Sequence, residues 1–327
     1  MSLVHTNLRV DISGGTLDLW PLYNFVGGAK TINAALSLKA TCQFQQLETS
    51  AVDVSITNLN YKKVFDSINA FFSSEDSEIE ILKPVLKNYK FPKGLKIETQ
   101  SESPVGGGLG GSSTLLVAII KAIDEDLDIS RNEQELVDFA CNLESQILGT
   151  PAGTQDYFQA FQPGLSAIHF SAENRRREFF KSPWLESVKS DFKLIYSGYP
   201  HHSGLNNWQI FQKCVQKDKQ TLGILKSLKE VSDLVFMDLQ TPQALNMSRL
   251  LIEELTLRRQ LATGYVNEPL EKIIMFLQNL GLKHFKICGA GGGGCLWALV
   301  PQDLEDDLQH VKQLHSEIQI IDCELII

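Results

Sequence analysis

The feature that most constrains this chain is the run Ser103-Pro104-Val105-Gly106-Gly107-Gly108-Leu109-Gly110-Gly111-Ser112-Ser113, followed without a break by the apolar stretch Thr114 to Ile123. The stretch predicts a helix, so the run predicts a glycine loop that feeds a helix N-terminus. Such a loop lets backbone N–H groups approach phosphate oxygens closely, and the helix adds the positive end of its dipole. A serine hydroxyl at the helix start reaches the phosphates or their magnesium. No Gly-Lys-Ser/Thr follows the glycines, which excludes a Walker A loop. The third glycine falls at Gly111, which excludes the dinucleotide fingerprint. The bland alternative is a flexible loop capped by serine.

A second run, Gly289-Ala290-Gly291-Gly292-Gly293-Gly294, lies between two short β-like stretches. A simple hairpin turn needs one or two glycines, and more of them weaken a sheet by entropy. Close approach of backbone to a ligand, or to the first loop, accounts for the run better. Glu144 lies at the margin of an apolar helical stripe formed by Leu136, Phe139, Ala140, Leu143 and Ile147. Asp156 follows the turn Gly149-Thr150-Pro151-Ala152-Gly153 and opens another helix, where it serves as a cap or as a base. Phosphoryl transfer asks for one carboxylate that holds magnesium and another that orients the acceptor hydroxyl. Arg9 precedes Gly14-Gly15 on the first β-like segment and is the third candidate; the ordinary place for an arginine is the surface.

With 327 residues the chain is expected to form two domains, and the boundary is placed at Ser182-Pro183-Trp184, giving 1–184 and 185–327. A formal charge of −9 argues against a nucleic-acid surface. The basic run Arg175-Arg176-Arg177 reads as a solvated hairpin or loop face, and no role is assigned to His201-His202. No stretch is apolar for long enough to span a membrane, and six scattered cysteines without a C-x-x-C pair read as reduced thiols of a cytoplasmic protein. Strand-like segments are expected at Leu8 to Ile12, Leu36 to Leu47, Val52 to Leu59 and Leu95 to Thr99, and helices at Glu78 to Tyr89 and after a capping box Ser130-x-x-Glu133. Later come strands Phe192 to Tyr196, Phe285 to Cys288, Cys295 to Val300 and Ile320 to Ile326, with helices between about Leu205 and Leu280. Mixed elements in both halves predict two α+β domains.

These motifs resemble those of the GHMP kinases, the family of galactokinase, homoserine kinase, mevalonate kinase and phosphomevalonate kinase. Pro104 to Ser113 is similar to their P-x-x-x-G-L-G-S-S-A signature. Glu144 with Gly149 to Asp156 resembles the segment that carries a magnesium-binding glutamate and a catalytic aspartate, and Lys286 to Cys295 resembles their C-terminal glycine motif. Arg9 to Leu19, with Gly27-Gly28-Ala29, is similar to the first motif of heptose 7-phosphate kinases and fucokinases. Gly111 stands where the family has a serine, Leu17 where it has a threonine, and Thr154 where heptose kinases have a lysine.

The resemblance implies a ribosomal S5 domain 2-like N-terminal domain and a ferredoxin-like C-terminal domain. It implies ATP and Mg2+ as cofactors and a sugar or sugar phosphate as substrate, in a monomer or homodimer. Pro104, Gly106, Gly107, Gly108, Leu109, Gly110, Gly111, Ser112 and Ser113 would bind ATP. Ser112 and Glu144 would hold magnesium, and Asp156 with Arg9 would be catalytic. Gly14, Gly15, Asp18, Gly289, Ala290, Gly291 and Gly292 would line the substrate. The alternatives kept beside this reading are a mevalonate kinase-like enzyme, an ATP-dependent decarboxylase, and a non-catalytic sugar sensor.

Overall fold

The computed structural model describes residues 1–200 and 203–327, so the His201-His202 pair lies outside the described residues. In chain order the strands are β1 (Ser2–Ser13), β2 (Ala29–Gln46), β3 (Val52–Ile56), β4 (Tyr61–Phe65), β5 (Leu95–Ser101) and β6 (Ser166–Phe170). They continue as β7 (Arg175–Phe179), β8 (Phe192–Tyr196), β9 (Phe285–Ile287), β10 (Cys295–Leu299), β11 (Gln319–Ile321) and β12 (Leu325–Ile326). Helices and strands alternate irregularly, which makes this an α+β protein.

Two compact units are formed. The first takes in Met1–Leu8, Leu38–Ser103 and Gly111–Gln162, and the second Arg9–Ser37, Pro104–Gly110 and Pro163–Ile327. These units interleave along the chain, whereas the 1–184 and 185–327 division is contiguous.

In the first unit, the C-terminal half of β2 pairs antiparallel with β5, β5 pairs parallel with β3, and β3 pairs antiparallel with β4. Helices Gly111–Asp126 and Glu133–Leu148 supply the core. Leu116, Val117, Ile119, Ile120 and Ile123 of the first are fully buried, as are Val137 and Ala140 of the second, with Leu136 and Leu143 nearly so. The capping box of the second helix uses Asn132 and Glu135 in place of the expected Ser130 and Glu133. Both pairs have the same spacing, and the hydrogen bonds form two residues further along. The expected helix over 78–89 is divided into a 3-10 turn Ser77–Ile79 and a helix Leu82–Lys87.

In the second unit, β2 pairs through its N-terminal half with β6, which forms a hairpin with β7, and β12 pairs with Ala35 and Leu36. The basic run is on β7, the last strand of its sheet, where Arg176 is exposed and Arg175 and Arg177 are half-buried, so the expected solvated face is only partly formed. A second sheet has the order β11-β8-β10-β9, all antiparallel. Its core joins Ile195, Ile287, Leu296 and Ala298 of the strands to Leu270, Ile273, Ile274 and Leu277 of helix Glu268–Asn279. The single C-terminal strand expected over 320–326 is interrupted: β11 ends at Ile321 and β12 begins at Leu325 in the other sheet. Cys42, Cys214, Cys288 and Cys295 are buried thiols, and no cysteine is in a disulfide. Among the described residues no helix is long and apolar enough to cross a membrane.

Candidate active site

The hydroxyl and carboxyl groups singled out in the sequence meet in the first unit. Helix Gly111–Asp126 begins directly after the glycine loop, and its third residue, Ser113, is buried. Ser113 Oγ donates to Glu144 Oε2 at 2.7 Å and lies 3.3 Å from Asp156 Oδ2. Gly111 occupies the family's serine position because nothing larger fits: a Cβ there would come within 2.7 Å of both Cβ and Oγ of Ser103. The hydroxyl between the carboxylates therefore belongs to Ser113. Ser112 is exposed, one position and about 100° further round the helix, and its hydroxyl also acts on Glu144.

Glu144 is 6% exposed on the inner side of helix Glu133–Leu148. Burial pushes its carboxyl above the ordinary value of 4.5, against the hydrogen bonds from Tyr157 and Ser113 and with help from the negative Asp156. Tyr157, fully buried, donates its phenol to Glu144 Oε2. Its part in the site was not read from the sequence; a tyrosine directly after the aspartate, at the start of a short helix, was the signal. Asp156 is half-buried at the second position of helix Gln155–Phe161, whose N-cap is Thr154. The capping alternative for Asp156 is thereby removed, and its carboxylate faces Ser113.

Two carboxylates directed at one hydroxyl repel each other, and a cation between them relieves that. Glu144 ionised in a buried place costs stability: its raised value means that its contribution is complete below 4.5 and is lost as the pH climbs through the native value. Glu144→Gln is therefore expected to raise the melting temperature of the ligand-free protein at pH 8 and to leave it unchanged at pH 4.5. A shift of the same size at both pH values in a calorimetric scan would contradict this.

The second unit holds the glycine loop 104–110 by its carbonyls. Arg9 N donates to Leu109 O at 3.3 Å and Arg9 Nη1 to Gly108 O at 3.0 Å. Cys295 N donates to Gly107 O at 2.8 Å, and Tyr196 Oη to Val105 O at 3.2 Å. A trans peptide carries its N–H opposite its C=O, so these anchors turn the amide edge of the loop away from the protein donors. Arg9 is not a surface arginine; it is 4% exposed. The second glycine run forms the β9–β10 turn, and through Cys295 it meets the first loop, as one of the sequence-based expectations had it.

Also in this unit, Leu17 N donates to Gly14 O and Leu19 N to Thr16 O, forming two overlapping turns, the second of which contains Asp18, 3% exposed. Gly14 and Gly15 are packing positions: a Cβ on either would come within 2.2 Å of an oxygen, Lys30 O or Asp11 Oδ2 respectively. Sequence reasoning missed Asp11, Glu254, Arg258 and Lys286, which form a buried ionic group beneath these turns.

Two family models match this chain: the GHMP kinases N-terminal domain over residues 79–164 and the GHMP kinases C-terminal model over 242–318. The chain belongs to the GHMP kinases. Members of this family transfer phosphate from ATP to hydroxyl groups, and this chain is an ATP-dependent phosphotransferase of that kind. It is 26% identical to a D-glycero-alpha-D-manno-heptose 7-phosphate kinase of Campylobacter jejuni, over 95% of this chain and 92% of that one. It is 23% identical to a mevalonate kinase of Thermococcus onnurineus, over 86% of this chain and 85% of that one. The solved galactokinase of Lactococcus lactis, in complex with galactose, superposes with a TM-score of 0.80 at 16% identity, over 99% of this chain and 93% of that one. At that identity the superposition shows a shared fold.

Proposed function

We propose that this GHMP kinase phosphorylates a hydroxyl of a sugar or sugar phosphate. The observation that carries the reading is Asp18, buried on the paired turns that follow Arg9, where a carboxylate accepts hydrogen bonds from vicinal hydroxyls. The similarity to a heptose 7-phosphate kinase supports it. In this reading the acceptor hydroxyl gives its proton to Asp156, its oxygen forms the new bond to the γ-phosphorus, and ADP leaves with the electron pair of the broken bond. Arg9 offsets charge on the phosphoryl group, and the loop 104–113 binds the ATP phosphates. A cytoplasmic location, where ATP is supplied, goes with this reading.

Magnesium fits the first-unit cluster. Its donors are hard oxygens, and among the described residues no group of three or more His, Cys, Asp or Glu forms a metal cage. Mg2+ is held in this manner by one or two carboxylates together with substrate phosphates. Glu144 and the Ser112–Ser113 hydroxyls would hold it, and the ion would neutralise charge on the ATP phosphates. The Glu144→Gln protein is accordingly expected to need about tenfold more Mg2+ for half-maximal rate, the effect of exchanging a carboxylate for an amide. An unchanged titration curve would remove Glu144 from the metal site.

A mevalonate kinase reading is favoured by the similarity to the Thermococcus enzyme. The assay that separates the two is ATP consumption with D-glycero-D-manno-heptose 7-phosphate, galactose, fucose, mevalonate and homoserine. Turnover of a sugar is expected. Asp18→Ala should lower kcat/KM for that sugar by more than tenfold and leave the KM for ATP within about twofold, since polar groups left unpaired discriminate strongly. Turnover of mevalonate alone would overturn the sugar reading.

A further inference from the structure

Beneath the turns that carry Asp18 lies a group of four charged side chains, each at most 6% exposed: Asp11, Glu254, Arg258 and Lys286. Removing charges from water is expensive, and a buried ionic group gains less than an apolar core of the same size. Its presence here is explained by what it holds. Glu254 and Arg258 are one turn apart on helix Met247–Leu261 and pair with each other, Arg258 Nε to Glu254 Oε1 at 2.9 Å. Both then reach the same backbone segment. Ser13 Oγ donates to Glu254 Oε2 at 2.6 Å, and Gly14 N donates to Glu254 Oε1 at 3.4 Å. Arg258 Nη2 donates to Gly15 O at 2.7 Å, and Arg258 Nη1 donates to Thr16 Oγ1 at 3.2 Å. Four consecutive residues are thus gripped by two side chains.

The segment needs a grip. Gly14 has φ +86° and Thr16 has φ +75°, a left-handed conformation that costs a β-branched residue energy unless its surroundings enforce it. Lys286 Nζ bonds Asp11 Oδ2 at 2.9 Å and lies 3.5 Å from Glu254 Oε1, which ties β9 to β1 on the other side of the group. Gly14 and Thr16 are the acceptors that close the two turns, the first ending at Leu17 and the second containing Asp18. A change in the grip is therefore a change in where the Asp18 carboxylate stands.

We propose that Arg258 and Glu254 are positioning residues for acceptor specificity, acting through the Ser13–Thr16 backbone to place Asp18. This rests on the reading of Asp18 as the group that binds the sugar. Arginine is required at 258 because its planar fork serves Glu254, Gly15 and Thr16 together, while a lysine ammonium is a point charge that keeps the ion pair and loses the fork.

The test uses Arg258→Lys and Ser13→Ala in the full chain, with Asp18→Ala beside them. Amide hydrogen exchange is read on peptides covering 13–19 and, as a control, on helix Lys219–Leu239. Expected in Arg258→Lys is exchange at least tenfold faster over 13–19 with the control unchanged. The KM for D-glycero-D-manno-heptose 7-phosphate should rise about tenfold, and the KM for ATP should stay within twofold. Ser13→Ala, which removes one buried hydroxyl donor to Glu254 and leaves all four charged side chains in place, should show the same split at about threefold. Unchanged exchange over 13–19 in both variants, or KM for ATP rising in step with KM for the sugar, overturns the proposal. If Asp18→Ala leaves sugar kinetics unchanged while exchange over 13–19 responds as expected, the grip stands and the role of Asp18 as sugar reader falls. Should Arg258→Lys fail to fold, Ser13→Ala decides the matter alone by the same two readouts.

Discussion

Asp156→Asn lowers kcat by two or more orders of magnitude and leaves ATP affinity within about threefold, the scale expected when a positioned base is removed. The substitution changes little besides charge and basicity. Asparagine has nearly the same size, and its side-chain oxygen still reaches Ser113, whose hydroxyl lies 3.3 Å from the Asp156 carboxylate. Thr154 remains the N-cap of helix Gln155–Phe161, so the helix start is intact. What is lost is the group that takes the acceptor's proton. Single-turnover kinetics on the folded mutant, with ATP affinity measured by titration calorimetry, make the comparison. A rate within about threefold of the parent would take the base role from Asp156. A large loss of ATP affinity would instead make Asp156 part of the nucleotide site.

How much of this was legible follows from how far apart the partners are in sequence. Loop 104–113 and the segment from Glu144 to Asp156 each carry a local motif, their resemblance to the GHMP motifs pointed to one site, and the carboxylates do meet at a serine. Which serine could not be read. Adjacent helical residues point about 100° apart, and it takes the packed structure, with Gly111 close against Ser103, to show that Ser113 is buried and Ser112 exposed. The ionic group was invisible for another reason: Asp11 and Lys286 are 275 positions apart. A partial signal was present, because Glu254 and Arg258 share a spacing of three to four with the buried Leu250, Leu251 and Leu261. Two opposite charges one turn apart on an apolar stripe mark a buried pair. The Asn132 cap was missed because Ser130 and Asn132 each have a glutamate three residues on, and the box rule does not choose between them. The break between β11 and β12 was missed because Ile320 to Ile326 is apolar enough for one strand, and only the pairing partners, Ile195 in one sheet and Leu36 in the other, divide it.

Gly108→Val is expected to weaken binding of a non-hydrolysable ATP analogue at least 100-fold, about 2.7 kcal/mol, while the protein still folds. Two independent effects act at this position. Gly108 has φ +74°, which a β-branched residue adopts at a cost of about 1–3 kcal/mol. Even if that cost were met, the new Cβ would stand 2.6 Å from Cys288 O, a backbone atom in the second unit that cannot turn aside as a long side chain does. The loop must therefore move away from Cys288. Its anchors move with it, first of all the bond from Arg9 Nη1 to Gly108 O, so the amide edge and the arginine lose their places together. The core formed by β8, β10 and helix Glu268–Asn279 contains no part of this loop, which is why folding should survive with a modest fall in melting temperature. Gly223→Ala is the matched control: it is a glycine within helix Lys219–Leu239 whose added Cβ meets nothing within 4 Å, and alanine there should stabilise slightly. Titration calorimetry on the parent and both variants decides the question. Affinity for the analogue within twofold of the parent in Gly108→Val would mean that this loop does not cradle the nucleotide phosphates. A matching loss in Gly223→Ala would mean that the effect at Gly108 is not local.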